Sequence, residues 1–357
     1  MLEIKHTLCP SCSVGCGINV VSHEGDVVGT YPYKRHPVNE GKNCLNGRNS
    51  IEAYKNKLKS AIVSNSDVDI DKAIDEICSN LKSKDSDKIT VFCSGNNSVE
   101  DIEAIKSFAE ANNYNIALYA DNIVDIDGEI ASYDDVEKAS KLIVIGDVLY
   151  TNPLIGRRII HAKDNGADVY SFTPEGSVTA NVSNEICDSI DDVLNNFGDN
   201  LDESSVILFN TVNSSEDLDK IKEIADKENS KILPVFSKCN SRGACEIIKA
   251  QSKEEFVELL NGTDLLLVFN DDLIPEIDFD FGSISTIVSF VPCENSTSNA
   301  SQIVVPVKSW LENDGSFVNA MGETQTFSAV IESDALGVDE VIEKIQNKLW
   351  VIIWVMF

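Results

Sequence analysis

Four cysteines crowd the first 44 residues with the spacing Cys9-x2-Cys12-x3-Cys16-x27-Cys44. Thiolates are the ligands an iron–sulfur cubane requires, and four must converge on it. A tight loop can supply three, and a remote segment can return with the fourth. Gly15, Gly17, Gly41 and Gly47 flank these positions, and glycine lets the backbone bring N–H groups up to the sulfurs. The pattern points to a [4Fe–4S] cluster on Cys9, Cys12, Cys16 and Cys44. The alternative is structural zinc, which usually pairs two Cys-x2-Cys hooks or mixes Cys with His. Here the fourth cysteine has no hook of its own, and His6 and His36 stand off hook spacing. The remaining cysteines, Cys78, Cys93, Cys187, Cys239, Cys245 and Cys293, are scattered, mostly in apolar contexts that suit a small buried hydrophobe.

The elements that must position this constellation fall into three parts. Residues 1–58 are rich in Cys, Gly and basic side chains, with a short hairpin expected around Glu24-Gly25. They read as a small lobe built on the metal centre. From about residue 60, helices alternate with short, apolar, β-branched strands. Helical periodicity covers Ile70–Lys84, Val99–Asn112, Leu154–Asn165, Leu218–Lys227 and Lys253–Leu260, with capping-box signals at Ser98…Asp101, Ser214…Asp217 and Ser252…Glu255. Strands are expected at Ile89–Phe92, Leu142–Ile145, Val169–Phe172, Val206–Phe209, Ile232–Val235, Leu265–Phe269, Ile287–Phe290 and Ile303–Val305. Such alternation predicts parallel sheets. The expected fold class is α/β: the [4Fe–4S] lobe, then two Rossmann-like parallel-sheet blocks at 59–200 and 201–345. The acidic, Asn-rich stretch Asp188–Ser205 is the expected joint.

The 357 residues are 43% hydrophobic and 25% charged, an ordinary globular composition of two or three domains. The formal net charge is −30, which repels phosphate backbones and argues against nucleic acid as a partner. The N-terminus lacks an apolar signal region and a twin arginine, so a cytoplasmic protein is expected. No run approaches the ~20 apolar residues of a membrane span. Residues 346–357 end in a wholly apolar run, Leu349–Phe357, which reads as a docking strand or, in the favoured reading, as the trace of a truncated or frame-shifted end.

The stretch Leu8-Cys-Pro-Ser-Cys-Ser-Val-Gly-Cys-Gly-Ile-Asn-Val20, followed by Arg35-His-Pro-Val-Asn-Glu-Gly-Lys-Asn-Cys44-Leu-Asn-Gly47, resembles the N-terminus of formate dehydrogenase alpha subunits, members of the molybdopterin (Mo/W) oxidoreductase family. Further resemblances are patchier. They comprise Ile143-Val-Ile-Gly-Asp with Thr151-Asn-Pro-Leu and Arg157-Arg-Ile; Arg242-Gly-Ala-Cys245; Ile303-Val-Val-Pro-Val; and Glu312-Asn-Asp-Gly-Ser-Phe-Val-Asn319 with Gly322-Glu-Thr-Gln325. The resemblance implies a [4Fe–4S] cluster and a molybdopterin guanine dinucleotide with Mo or W. It further implies formate/CO2 interconversion and electron transfer to a redox partner subunit or electron-carrier protein. Gly146, Asn152 and Gly243 are candidate cofactor-binding residues, because strand-to-helix turns of this kind bind phosphates and nucleotides. Arg157, Arg158 and His161 could hold a phosphate or form a solvated face. Lys34, Arg35 and His36 could steer an anionic cofactor.

The chain also departs from the family. Active members carry a metal-ligating Cys or selenocysteine beside a His in the first α/β block. Here no Cys occurs between Cys93 and Cys187, and residues 113–128 contain neither Cys nor His. No catalytic residue is identified. Asn46 stands where many members place Lys, and Glu323 where the signature places Arg. The chain is about half the usual family length, and the family's pterin-closing domain would begin where it stops. These departures raise an alternative: an electron-relay or scaffold subunit that keeps the cluster without the pterin metal, similar to the large iron–sulfur subunit of complex I. A structural zinc protein is the third reading.

Overall fold

The computed structural model describes residues 1–120, 129–212 and 214–355. The N-terminal lobe is a three-stranded antiparallel sheet of β1 (Leu2–Leu8), β2 (Gly17–His23) and β3 (Asp26–Pro32). Glu24 and Gly25 both hold left-handed φ, 55° and 90°, the two-residue turn that matches strand twist. The return segment ends in the short α1 (Leu45–Asn49), followed by the hairpin β4 (Ala61–Val63) and β5 (Ser66–Val68).

The chain then alternates: α2 (Ile70–Ser83), β6 (Ile89–Cys93), α3 (Val99–Asn112), β7 (Asn115–Leu118), α4 (Tyr133–Lys138), β8 (Lys141–Ile145), α5 (Val148–Thr151), α6 (Pro153–Asp164), β9 (Asp168–Phe172), β10 (Glu185–Cys187), α7 (Ile190–Phe197) and β11 (Val206–Phe209). It continues with α8 (Ser215–Glu228), β12 (Lys231–Pro234), α9 (Ser241–Ile247), α10 (Lys253–Asn261), β13 (Leu265–Phe269), β14 (Thr286–Val291), α11 (Ser296–Ala300) and β15 (Ile303–Pro306). The hairpin β16 (Gly315–Val318) and β17 (Thr324–Phe327) and the helix α12 (Val338–Val355) follow. Capping boxes at Ser98/Asp101 and Ser252/Glu255 start α3 and α10. Ser214 caps α8 through the Asp217 N–H, and Pro153 opens α6 where its missing N–H costs nothing.

Every residue of β6, β11, β13, β14 and β15 is buried, as the unbroken Val/Ile/Leu/Phe runs require of strands covered on both faces. Two sheets form. One has seven strands in the order β5-β4-β15-β14-β13-β6-β7, parallel except at β4 and β5. The other is wholly parallel, in the order β10-β9-β8-β11-β12.

Sheet membership corrects the expected division at residue 200. β6 and β7 share a sheet with β13–β15, while β11 and β12 join β8–β10. The five-stranded sheet is built between the two halves of the seven-stranded one. Local βαβ signals do not say which sheet edge a strand joins, so this exchange is invisible in sequence. The expected joint Asp188–Ser205 contains α7, the crossover from β10 to β11. Ser189 caps α7, and Val193 and Leu194 bury its inner face.

α12 runs through the expected tail. Val341, Ile345 and Leu349 join the core with Ile74, Ile105 and Phe108, and Lys348 pairs with Asp75 at 2.6 Å. The lobe shares a core with the five-stranded sheet: Ile18 and Val20 are buried in one cluster with Leu142, Val144, Ile155 and Ile159. Each such fully buried side chain contributes about 1.5–3 kcal/mol, so the lobe is fixed on the sheet rather than tethered to it.

Candidate functional site

Three of the four N-terminal cysteines sit in the loop joining β1 to β2. The Cys9 N–H donates to the Cys16 carbonyl at 2.8 Å and closes that loop. Gly15 permits its tight return with φ +75°, and any side chain there would overlap Gln325 and Asn319. Gln325 Nε2 donates to the Gly15 carbonyl at 3.1 Å. Ser13, fully buried, is held on three sides. Its N–H donates to the Phe236 carbonyl, its carbonyl accepts from the Ala320 N–H at 2.8 Å, and its Oγ accepts from the Phe236 N–H at 2.8 Å. Tyr133 Oη donates to the Val14 carbonyl at 2.8 Å. The loop is thus clamped between the end of β12, the β16–β17 hairpin and α4.

Cys44 comes from the other arm, at the N-cap of α1. Its sulfur accepts from the Gly47 N–H at 3.4 Å. A Cβ on Gly47 would lie 3.1 Å from Cys9 Sγ, so the arm carrying Cys44 is packed onto the Cys9 thiol. All four cysteines are free; Cys9, Cys12 and Cys16 are buried and Cys44 is half-buried. Burial pushes the thiol of Cys9 up and that of Cys12 up to about 12, and holds Cys16 well above its ordinary value. Repulsion among the thiols adds to each shift. Such thiols give up their protons only to a strong cationic centre. A cubane offers a separate iron corner to each thiolate. The donor set fits a cluster.

The residues around the lobe play different parts. His6 Nδ1 contacts Asn19 Oδ1, and its ring stacks on Tyr33 at 4.0 Å. His36 packs over Gly17, and burial lowers its pKa. Arg158 is buried, not on a solvated face: it bonds Asp134 at 3.2 Å, Glu137 at 2.7 Å and the Val38 carbonyl at 3.3 Å. Its charge also favours the Cys16 thiolate. Arg157 pairs with Glu40 at 3.2 Å and His161 with Glu137 at 3.2 Å, so carboxylates already answer the charges considered for a phosphate.

Both sheets reverse winding direction beside this lobe, where open α/β sheets bind ligands. In one, β6 and β13 diverge; in the other, β8 and β11 do. Gly146 lies at the second crevice with φ +94°, and a Cβ there would overlap Asn210. Asn152 is fully buried, and its Nδ2 donates to the Phe236 carbonyl at 2.9 Å, behind Ser13. Gly243 packs in α9 against Asn240 and Val318. Gly146 stands at a crevice, Asn152 packs against the Phe236 segment, and Gly243 packs against Asn240 and Val318.

Sequence reasoning missed the acceptors at the strand ends. Asn97 Oδ1, Asp271 Oδ1 and Asn210 Oδ1 are buried without a hydrogen-bond partner. They flank the two crevices. Lys238 Nζ pairs with Asp271 Oδ2 at 2.8 Å and with Glu276 at 2.7 Å. A cavity of about 160 Å³ beside the first crevice is lined by Pro10, Asn96, Asn270, Lys308, Trp310 and Asn313. The signal available was a polar residue directly after a buried strand, as in Phe209-Asn210 and Phe269-Asn270-Asp271. A larger hollow of about 930 Å³, near Glu129, Asp202 and Lys231, lies at the opposite, N-terminal strand ends. Cys239 is a fifth thiol, buried near Cys9 and Cys12 and donating to the Gly95 carbonyl at 3.3 Å. The stretch 113–128, where a catalytic Cys was sought, lies outside the described residues from 121 onward.

The lobe is where the family match falls: residues 2–56 match the molybdopterin oxidoreductase Fe4S4 domain. Over 198 residues the chain is similar, at 32% identity, to a formate dehydrogenase alpha subunit of Methanocaldococcus jannaschii. That match covers 50% of this chain and 29% of the subunit. In fold it is similar to acetylene hydratase from Pelobacter acetylenicus, with a TM-score of 0.62 and 13% identity over 97% of this chain and 69% of that one. It is also similar to a chain of the formyltransferase/hydrolase complex from Methylorubrum extorquens, with a TM-score of 0.60 and 12% identity over 83% of this chain and 100% of that one. Among the described residues, no helix is long and apolar enough to cross a membrane.

Proposed function

We propose that this chain is the iron–sulfur subunit of an oxidoreductase that interconverts formate and CO2, as the names of its similar relatives suggest. In this reading Cys9, Cys12, Cys16 and Cys44 hold the cluster and residues 1–58 are the electron port. The two sheets between 59 and 345 are the platform for a molybdopterin guanine dinucleotide with Mo or W. The observation that carries it is the packing of the Cys44 arm onto the Cys9 thiol, in a lobe clamped beside two crevices with unpartnered acceptors.

When bound, the pterin metal would supply two-electron redox chemistry. Formate gives CO2, two electrons and one proton, while a cubane carries one electron at a time, so electrons leave singly for a partner subunit or carrier. The chain's own residues do the positioning. Asn97, Asp271 and Asn210 would accept hydrogen bonds from ring N–H groups, and Gly146 keeps the second crevice free of a side chain. The Ser13–Phe236 ladder holds the cluster loop against the platform. Free thiols at all ten cysteines suit a reducing compartment, and the cytoplasm is the location this reading assigns.

One sequence observation favours a second reading. The absence of Cys and His from 113–128 fits an electron-relay subunit that keeps the cluster without the pterin metal. The test is to purify the chain anaerobically from a pterin-making host, measure molybdenum and tungsten, and add formate. Bound heavy metal with formate-dependent bleaching of the cluster supports the first reading. A bleachable cluster without either metal supports the second and removes formate chemistry.

A further inference from the structure

Charge is divided unevenly along this chain. Residues 1–58 hold seven Lys and Arg against five Asp and Glu, a formal +2, whereas residues 59–357 hold 22 against 54, a formal −32. The cluster lobe is the basic part of a strongly acidic protein. Within it, Cys44 is the half-buried ligand among three buried ones, and its neighbour Leu45 is 68% exposed. An apolar side chain thus stands in water beside the thiol nearest solvent. Lys34, Arg35, Lys42 and Arg48 are exposed on the same return segment. Lys34 packs across Gly41, its Cα 3.1 Å from where a Cβ would stand. Thr30 Oγ1 ties the Arg48 carbonyl to β3 at 2.9 Å. Glu40, an acid on this segment, is paired with Arg157 and Lys42.

Resting on the cluster reading above, we infer that the Cys44 edge, centred on Leu45 and rimmed by Lys34, Arg35 and Arg48, is the docking surface for an acidic one-electron carrier protein. An apolar centre with a charged rim is the ordinary anatomy of a transient interface, and complementary rim charges set the encounter rate. The remaining surface, at −32, repels an acidic carrier. Such a partner is therefore steered to the one lobe where the cluster lies near solvent. At 0.15 M salt the screening length is about 8 Å, so the rim charges of the lobe dominate once the carrier is close. In the exchange, one electron passes from the reduced carrier to the oxidised cluster, or the reverse, and no bond or proton changes place.

The test uses the cluster-loaded chain, its cluster first confirmed by iron content and visible absorbance. Without a cluster in the wild type, the reading of the lobe itself fails and docking is not at issue. With the cluster present, a reduced acidic [2Fe–2S] ferredoxin is mixed with the oxidised chain at about 0.15 M salt, and the second-order rate is followed by stopped flow. Lys34→Glu combined with Arg48→Glu is expected to slow the reaction at least about tenfold, and Leu45→Ser to slow it severalfold. Reduction by a small viologen should be unchanged in both variants. A rate unaffected or raised by the charge reversals overturns the inference. So does an equal loss with the viologen, which would mean damage to the cluster rather than to a docking surface.

Discussion

Gly47 abuts the Cys9 thiol: a single added carbon on this glycine would stand 3.1 Å from Cys9 Sγ, while its N–H donates to Cys44 Sγ at 3.4 Å. One residue thus touches the sulfur of the loop and the sulfur of the return arm. The same added carbon would stand 2.5 Å from Asn43 Oδ1. Gly47→Ala should therefore push the two arms apart and lower iron per chain while leaving the far-ultraviolet circular dichroism unchanged. Full iron occupancy in that variant would mean the arms do not need this contact.

Removal of a ligand should act more strongly than displacement. Cys44→Ser is expected to lose most of the cluster absorbance. Cys78→Ala, a thiol buried in α2 and donating to the Ile345 carbonyl, should keep it. Comparable losses in both variants would show general instability rather than ligation.

Lys238 and Asp271 form a buried ion pair beside the first crevice, and the exposed Glu276 shares the Lys238 ammonium. Lys238→Met leaves Asp271, which is 2% exposed, without its cation. Breaking a buried pair from one side costs about 3–5 kcal/mol, and adding Asp271→Asn should recover part of it. Urea unfolding of the single and double variants measures this. A single variant as stable as wild type would contradict the burial described here.

Asp101, third residue of the α3 capping box, is buried, and desolvation raises its carboxyl to about 6 from an ordinary 3.8, against the pull of its Ser98 hydrogen bonds. A raised folded value means that the folded state binds the proton more tightly. The associated stability is full below pH 3.8 and is lost as pH rises through about 6, an effect on the order of 3 kcal/mol. Asp101→Asn should flatten the difference in stability between pH 4 and pH 6.5, measured by urea unfolding against wild type. A parallel decline in both proteins would assign the pH dependence elsewhere.

The helices and strands were legible because each carried a local signal. Ser98 and Ser252 announce their helices through side chains that accept N–H bonds, and Leu265–Phe269 reads as a strand because each residue is apolar. The cluster lobe was legible for the same reason: the Cys spacing and Glu24-Gly25 are contiguous features. The division into sheets was not, since the pairing of β6 with β13 joins residues 176 positions apart and no local pattern encodes it. Asn97, Asn210 and Asp271 escaped notice because their significance lies in being buried without a partner, which only the packed structure defines. The burial of Arg158 is hidden for a related reason: its helix reads as amphipathic, yet the lobe covers the face that carries it.

The central claim is that four thiols on two arms hold one cubane. The most direct measurement is iron, acid-labile sulfide and zinc per chain after anaerobic purification, in the wild type and in Cys44→Ser. The account predicts about four irons and four sulfides in the wild type, little of either in the variant, and no stoichiometric zinc in either. One zinc per chain without iron would contradict it.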